Sequence, residues 1–463
     1  MKKIIFYFIA IFILSVFAIS VTELGMDAWV SLTFAIIFFQ SLAGIAQDKY
    51  AYSLNQFYWL FNVVFFSIAP FIQYVSNVFP WVGSISEIEI ITTNTYIILA
   101  NLSYLAVRLF YKGKVKEKPE SIIKSSLKSR WKIDYSSNYF RRTFFIFLVC
   151  AGVLILVTGF GNLFLRANSW GNASQYSINS SFRLVIDKFV RGGILFYVLL
   201  TILYFQLFRA KINMLWFAFI LLIGIVTNFP TGIPRYMVGG FYFGVLINMK
   251  RQFKYNYLPI LFAFLALCFI FPALGTTRSA EYDVNKSLVS AISPSASGYT
   301  GGNYDSYTML SESFRYTDSF GITWGRQLLG SLFFFMPRTL WPDKPTGSGD
   351  TIAKAQNYVF ANVGCPFLAE GVVNFGYLGG LGFIIILSVI VCRYDSFYWN
   401  MVKLKITNNF WVLMYPTTMG FLIFILRGDL LSSLSYFIGI AVGGISIFFL
   451  NKQKAKRRLL QKI

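Results

Sequence analysis

The chain has 463 residues, of which 56% are hydrophobic, 19% are aromatic and only 13% are charged. About a quarter of the residues in a soluble globular domain are charged, so this composition excludes that class and indicates a membrane protein. The net charge of +22 suggests a nucleic-acid partner, but the placement of the charges along the chain argues against one.

Apolar runs that could cross a bilayer, which takes about 20 residues each, recur from one end of the chain to the other. Because backbone groups in lipid must be bonded within their own segment, each run is expected to be a helix. The first run also resembles a signal peptide, and we interpret it as an uncleaved first helix. The sequence therefore predicts an all-α integral membrane protein with about 12 transmembrane helices, at 4–21, 28–46, 57–79, 91–110, 143–160, 191–208, 212–229, 236–249, 258–275, 372–392, 409–426 and 431–450.

Basic residues are distributed unevenly between the two sides of this predicted topology. With the N-terminus inside, 28 of the 41 Lys and Arg residues fall in cytoplasmic segments, including ten in 112–142 and six in the tail 452–462. This asymmetry follows the positive-inside rule and favours attraction to anionic headgroups. Both termini are therefore expected in the cytoplasm, and nucleic acid is not expected as a partner.

The predicted spans divide the chain into three parts. Residues 1–275 hold helices 1 to 9 with the cytoplasmic loop 111–142, residues 276–371 form one long outer loop, and residues 372–463 hold the last three helices and a basic tail. A membrane protein with one large polar loop on one side is expected to carry its chemistry in that loop. This periplasmic loop is expected to form a partly helical cap over an outer cavity.

Inside the long loop, residues 325–340 are apolar but too short and interrupted to cross the membrane. This segment is expected to be re-entrant or to lie at the interface, and to end at Pro337, which cannot continue a helix. It would hold Arg338 and Lys344 near the depth of the headgroups.

Histidine is absent from the chain, and the four cysteines are spread singly. These facts remove histidine as a general base and as a metal ligand, and no Cys cluster offers a substitute. We therefore expect no metal and no cofactor.

The outer basic residues differ in kind from the inner ones, because nine of the thirteen outer ones are arginine. Arginine offers a planar fork that matches phosphate oxygens, so the outer set indicates a shared anionic ligand such as a lipid-linked pyrophosphate. Snorkelling or structural ion pairing is the alternative for each residue taken singly. The expected pyrophosphate-binding residues are Arg191, Arg235, Arg278, Arg338, Lys344 and Arg427.

Aromatic and acidic side chains in the outer loop suggest a sugar ligand. Rings such as Trp341 and Tyr316, with the nearby acid Asp343, are typical of sugar binding, although interfacial belts are also rich in Tyr and Trp. Glu370 is the expected catalytic residue, since it lies where the loop re-enters the membrane beside apolar residues. The alternative is a helix N-terminal acid that interacts with the helix dipole.

A short motif links these features to a known family. Residues Pro337-Arg338-Thr339-Leu340-Trp341-Pro342-Asp343-Lys344-Pro345 are followed by Gly347-Ser348-Gly349 and by Glu370 with Asn374-Phe375-Gly376, and the turn Pro230–Tyr236 also fits. With this topology, the chain resembles the Wzy-type polysaccharide polymerases, which extend O-antigen or related repeat-unit glycans at the periplasmic face.

The resemblance implies glycosyl transfer between two undecaprenyl-pyrophosphate-linked oligosaccharides at the periplasmic face of the bacterial inner membrane. Arg235, Arg278, Arg338 and Arg427 would hold the pyrophosphate leaving group, Lys344 would add a point charge, and Glu370 would orient or deprotonate the acceptor hydroxyl. Expected partners are the lipid-linked oligosaccharide, membrane lipids and, for chain length and export, a regulator and a flippase.

Two other functions, ligation and transport, fit this sequence less well than polymerisation. The related O-antigen ligases typically use an outer-loop histidine, which this chain lacks. A repeat-unit flippase or transporter of the lipid-linked oligosaccharide would carry its charges along a central cavity and would need no long outer loop. The flippase is the alternative that stays open.

Overall fold

The structure is a computed structural model that describes residues 25–114, 131–133, 137–164, 180–208, 213–249, 257–270 and 296–460. The described residues form helices and no strands, apart from two isolated β-bridges. The predicted first span, 4–21, and Arg278 lie outside the described residues. The prediction of an all-helical fold is confirmed for the part of the chain that the structure describes.

Eight of the described helices are long and apolar enough to cross a membrane, which confirms the membrane-protein class. The stretches that meet both conditions are Ala28–Ala46, Leu54–Val75, Glu87–Tyr111, Asn138–Thr158, Val185–Leu207, Phe367–Lys403, Phe410–Arg427 and Leu430–Phe449. Two further predicted spans correspond to shorter apolar helices of the described chain, Met214–Thr227 and Leu258–Ile270, and a third corresponds to the helix Arg235–Met249. The structure therefore supports eight of the twelve predicted spans by length and composition.

The helices fall into a membrane set and a set in the long polar segment. The first set comprises α1 (Ala28–Ala46), α2 (Leu54–Val75), α3 (Glu87–Lys114), α4 (Ser137–Thr158), α5 (Ser180–Leu207), α6 (Met214–Thr227), α7 (Arg235–Met249) and α8 (Leu258–Ile270). The polar segment holds α9 (Ala296–Tyr299), α10 (Ser306–Phe320), α11 (Arg326–Leu332) and α12 (Ser348–Ala355). The chain then continues with α13 (Phe367–Lys403), α14 (Phe410–Arg427) and α15 (Leu430–Leu460).

Helix α14 lies at the centre of the bundle, between two hydrophobic cores. It contacts α2 and α13 on one side and α7, α5 and α15 on the other. Small residues allow the closest of these approaches, since a Cβ added to Gly420 would lie 2.5 Å from the backbone of Gly239 and Gly240 in α7. Close backbone approach at small residues is typical of packed membrane helices. It fixes the end of α14, and therefore Arg427, relative to α7.

Hydrogen bonds and ion pairs join the loops and helix ends at each of the two ends of the bundle. At one end, Arg108 pairs with Asp48, and the backbone N–H of Leu54 donates to Asp395. At the other end, which carries residues 296–366, Trp81 donates to Asp305. These contacts join segments that the charge pattern predicts on the same side. We call the second end the outer end, following that prediction.

The long polar segment is partly helical from residue 296 onward, and α10 contacts α2, α3, α12 and α13. Helix α11 contacts α13 and α15, and it ends at Leu332, five positions before Pro337. The predicted break at Pro337 is therefore wrong in position, because the chain has already left the helix and formed a turn there. Several large apolar side chains of this stretch are exposed, namely Leu329, Leu332, Phe333, Phe335 and Leu340.

Helix α13 is interrupted near its outer end, and this break separates Glu370 from the long inner part. Gly376 has φ +71°, a left-handed conformation that favours glycine. The break frees the carbonyl of Val373, which accepts hydrogen bonds from the backbone N–H and the hydroxyl of Thr323 at 2.9 and 3.1 Å. The outer part of α13 is thereby tied to the polar segment.

Candidate functional site

Arg427 and Asp305 form the most deeply buried ion pair of the outer end within the described residues. Arg427 Nη2 lies 2.6 Å from Asp305 Oδ1, and the Trp81 indole N–H donates to Asp305 Oδ2 at 3.0 Å. Burial raises the pKa of Asp305, and the neighbouring Arg427 opposes that shift. The guanidinium of Arg427 also lies 5.1 Å from the ring centre of Tyr236.

Arg235 and Arg427 meet at one short stretch of the polar segment. Arg427 donates to the carbonyl of Gly302, and Arg235 donates to the side-chain oxygen of Asn303. Two of the predicted pyrophosphate ligands are therefore close together, and the structure uses some of their donors to hold the chain at Gly302 and Asn303. The Nε–H of Arg427 is buried and has no hydrogen-bond partner among the described residues.

Arg191 lies elsewhere at the outer end and joins α5 to the end of α6. Its Nε donates to Asp187 at 2.9 Å, and its Nη1 donates to the carbonyl of Thr227 and to the side chain of Asn228. The side chain is only 5% exposed. In this conformation its contacts are those of a structural arginine, which was the alternative for each outer arginine taken singly.

Arg338 and Lys344 share one turn of the polar segment with Trp341 and Asp343. Lys344 Nζ donates to the carbonyls of Phe334 and Met336 at 2.6 and 3.0 Å, and Arg338 Nη1 donates to the carbonyl of Lys344 at 2.9 Å. Desolvation and the nearby charge of Arg338 lower the pKa of Lys344. The turn holds both cations without pairing either of them with a carboxylate of the described chain.

The three predicted sugar-binding residues belong to two different elements and differ in exposure. Trp341 is half-buried and Asp343 is exposed, both in the turn that holds Lys344. Tyr316 lies on α10, is buried, and stacks on Phe320 with ring centres 5.5 Å apart. Trp341 and Asp343 are accessible to a sugar in this conformation, whereas the ring of Tyr316 is used in packing.

Glu370 is fully buried and both of its carboxyl oxygens are occupied. Ser348 Oγ donates to Oε2 at 2.6 Å, and the backbone N–H of Leu430 donates to Oε1 at 2.8 Å. The side chain thus joins the start of α12 to the start of α15. An acceptor hydroxyl cannot reach this carboxylate in the conformation described, so the contacts indicate a positioning residue.

Asp429 is a neighbouring carboxylate that sequence reasoning did not select. Its Oδ2 accepts from the backbone N–H of Gly349, its Oδ1 accepts from that of Leu431, each at 2.9 Å, and the residue is partly exposed. Desolvation raises the pKa of Asp429. The sequence feature that could have identified Asp429 is the segment Arg427-Gly428-Asp429, which places two charged residues between two apolar spans.

Lys188 is a second residue that sequence reasoning missed as a ligand, although it belongs to the outer basic set. Its Nζ donates to Ser435 Oγ at 2.6 Å and lies 4.3 Å from the ring centre of Tyr436. A row of rings connects it to Arg427, because Tyr236 stacks on Phe424 at 5.4 Å and Phe424 contacts Tyr436 at 5.9 Å. Cations therefore flank this row of three rings at both ends.

The burial of Glu370 predicts different outcomes for two substitutions. Glu370→Ala leaves two buried donors without an acceptor and should lower the free energy of unfolding by about 1–3 kcal/mol. Glu370→Gln should cost less, because the amide oxygen can still accept from Leu430 and the Ser348 hydroxyl can accept from the amide. Thermal unfolding of the purified protein would measure both, with the exposed Asp318→Ala as the control. Equal stability of Glu370→Ala and Asp318→Ala would contradict the positioning role.

Comparisons with protein-family models, with curated proteins and with the solved structures found no match to this chain.

Proposed function

We propose that this chain is a polysaccharide polymerase that joins undecaprenyl-pyrophosphate-linked repeat units of an O-antigen or related glycan by glycosyl transfer. In this proposal the chain crosses the bacterial inner membrane twelve times, and the polar segment covers a periplasmic site. The observation that carries it is the placement of the cations Arg427 and Lys188 at the two ends of the row Tyr236, Phe424 and Tyr436.

The cations suit a pyrophosphate leaving group. Arg338 is exposed and uses one of its five donors within the described chain, so its other donors can reach an oxyanion. Donors that are fixed before the reaction stabilise the charge that develops on the leaving oxygen. Arg235 would act beside Arg427, and Lys344 beside Arg338. Arg278 lies outside the described residues, and its proposed role as a pyrophosphate ligand rests on the sequence alone.

The proposed reaction moves the growing glycan from its lipid carrier to the incoming repeat unit. The acceptor hydroxyl oxygen forms a bond to the anomeric carbon, and the bond from that carbon to the pyrophosphate breaks. The lipid pyrophosphate leaves with the bonding electrons, and the hydroxyl proton passes to a base. Asp429 is the proposed base, since it is partly exposed and lies two positions from Arg427. Glu370 would position the segments on either side of Asp429 through its hydrogen bonds with Ser348 and Leu430.

The aromatic and polar groups of the outer turn suit the glycan part of the substrate. Trp341 offers a half-exposed ring and Asp343 an exposed carboxylate within three positions of Lys344. Amphipathic rings commonly stack on sugar faces while their polar edges stay wet. In this proposal the sugar next to the pyrophosphate would lie against Trp341.

A gel profile of the surface glycan from a strain that lacks this gene tests the proposal. A polymerase predicts lipid A-core that bears one repeat unit and no ladder, because export and ligation continue without polymerisation. Loss of every repeat unit would instead indicate the flippase or a ligase, and an unchanged ladder would contradict all three functions. Restoration of the ladder by the intact gene is the control.

A further inference from the structure

Trp81 has a backbone conformation that tryptophan rarely adopts. It lies in a tight turn between α2 and α3, in which Phe79 and Gly83 exchange two backbone hydrogen bonds at 2.7 and 3.0 Å. Its φ is +72°, in the left-handed region that favours glycine. A bulky side chain held in this region costs free energy, and such costs cluster at functional sites. The conformation therefore directs attention to what the indole contacts.

The indole of Trp81 is fixed in place next to Arg427. Its N–H donates to Asp305 Oδ2 at 3.0 Å, and the other oxygen of that carboxylate lies 2.6 Å from Arg427 Nη2. The indole also lies against Gly302, where an added Cβ would clash with its six-membered ring. The carbonyl of the same glycine accepts from Arg427. The ring is thus oriented before any ligand binds, and one carboxylate separates it from the cation.

Trp81 and Phe360 together form an exposed aromatic surface at the outer end. Their ring centres are 5.9 Å apart and their planes differ by 25°. Trp81 is 38% exposed and Phe360 is 47% exposed, and the neighbouring Val359 is fully exposed. Phe360 belongs to the segment between α12 and α13, so two separate parts of the chain contribute the two rings. Packing within the described chain leaves a large part of both residues accessible to a ligand.

The groups around this surface suit a sugar better than a purely apolar ligand. The residue after Gly302 is Asn303, which is half-buried, and its side-chain N–H groups donate to no described residue. An apolar ligand would remove water from such a group without replacing its hydrogen bonds, which is costly. A sugar has an apolar C–H face for the rings and hydroxyl groups at its rim for polar neighbours. Amphipathic aromatic rings commonly meet both needs.

We propose that Trp81 and Phe360 form a second sugar subsite, in which a sugar of the lipid-linked glycan stacks on the exposed rings beside Arg427. The identity of the glycan rests on the proposed function. A polymerase must hold the glycans of two lipid carriers, so its reaction requires a sugar subsite in addition to the one proposed at Trp341. Arg427 would then hold the pyrophosphate of the carrier whose sugar lies on Trp81.

Ligand binding by the purified full-length protein tests the subsite without any polymerisation. Native mass spectrometry would compare bare undecaprenyl pyrophosphate with the undecaprenyl-pyrophosphate-linked repeat unit extracted from a strain that lacks this gene. Trp81→Gly removes the ring, and glycine adopts the left-handed turn without strain. It should weaken binding of the glycan-bearing lipid about tenfold and leave the bare lipid unchanged. Trp81→Phe loses the same hydrogen bond to Asp305 but keeps a ring, so it should restore most of the affinity.

Two further variants separate the ring surface from the fold around it. Phe360→Ala alters the surface without removing a contact of Asp305, and it should weaken binding of the glycan-bearing lipid about threefold. Trp324→Ala is the matched control, because Trp324 is also an exposed tryptophan of the described chain, 80% exposed, with a left-handed φ of +50°. It should change the binding of neither lipid.

The outcomes separate the subsite from the proposed function. Equal binding of the two lipids by the unsubstituted protein would overturn the subsite, as would glycan binding that Trp81→Gly and Phe360→Ala leave unchanged. Equal weakening of both lipids by Phe360→Ala would assign the rings to the lipid carrier and would also overturn it. The expected binding pattern together with an unchanged glycan ladder in the strain that lacks the gene would refute only the polymerase. A lost ladder without any effect of these variants on binding would refute only the subsite.

Discussion

Arg338→Ala is expected to reduce the amount of polymer about a hundredfold or more while the protein still inserts and folds. Removal of one preorganised donor to a developing oxyanion commonly costs about 10²–10³ in rate. The side chain is exposed, and its one hydrogen bond in the described chain goes to the carbonyl of Lys344. Its loss should therefore change stability by only about 0.5 kcal/mol.

Arg326→Ala is the matched control for this substitution. Arg326 lies in the same polar segment, is exposed, and likewise donates to one carbonyl, that of Asp343, at 3.0 Å. The glycan ladder on a gel and the protein level in the membrane fraction would be measured for both variants. A normal ladder with Arg338→Ala, or an equal loss with Arg326→Ala, would refute a specific phosphate contact at Arg338.

Arg427→Ala is expected to destabilise the protein by about 3–5 kcal/mol, because it leaves a buried carboxylate unpaired. Asp305 is 1% exposed, and its remaining side-chain partner among the described residues is the Trp81 indole at 3.0 Å. The substitution also removes the contact with the carbonyl of Gly302 and the contact with the Tyr236 ring. The polar segment would lose these contacts with the end of α14 and keep the hydrogen bond from Gly349 to Asp429.

The exposed pair Lys354–Asp350 gives the control for Arg427. Its atoms lie at a comparable 2.7 Å, but the lysine side chain is 62% exposed, so Lys354→Ala should cost less than about 1 kcal/mol. Unfolding of both purified variants in detergent would be followed by heating. If Arg427→Ala lowered the melting temperature no more than Lys354→Ala, the ion pair with Asp305 would not hold the polar segment.

The two predictions separate roles that the sequence had placed together. One predicted set of phosphate ligands contained Arg191, Arg235, Arg278, Arg338, Lys344 and Arg427. In the structure Arg191 is buried in contacts with the end of α6. Arg338 is exposed and uses one of its donors among the described residues. Arg427 has a structural role, because it is paired with the buried Asp305. It also has one buried donor, Nε, that no described residue accepts from.

Helix class, most span positions and the grouping of the connections could be predicted from the sequence. These properties depend on local composition, since about 20 apolar residues suffice to define a span and nearby lysines and arginines bias its direction. The predicted span 91–110 is an example. It contains threonines and asparagines, yet the structure has a helix there, Glu87–Tyr111, that is long and apolar enough to cross a membrane. The helices α6, α7 and α8 lie at three further predicted spans and have fewer than 18 described residues each.

Sequence alone determined that this is a multi-helix membrane protein with one long polar segment, because hydropathy and charge act over neighbouring residues. Only the tertiary structure decided which charged groups are occupied and which are free. Arg427 meets Asp305 across 122 positions, Lys188 meets Ser435 across 247, and Glu370 meets Leu430 across 60. Such pairings depend on how the helices pack, and helix packing depends on side-chain shapes that no local pattern in one sequence reveals.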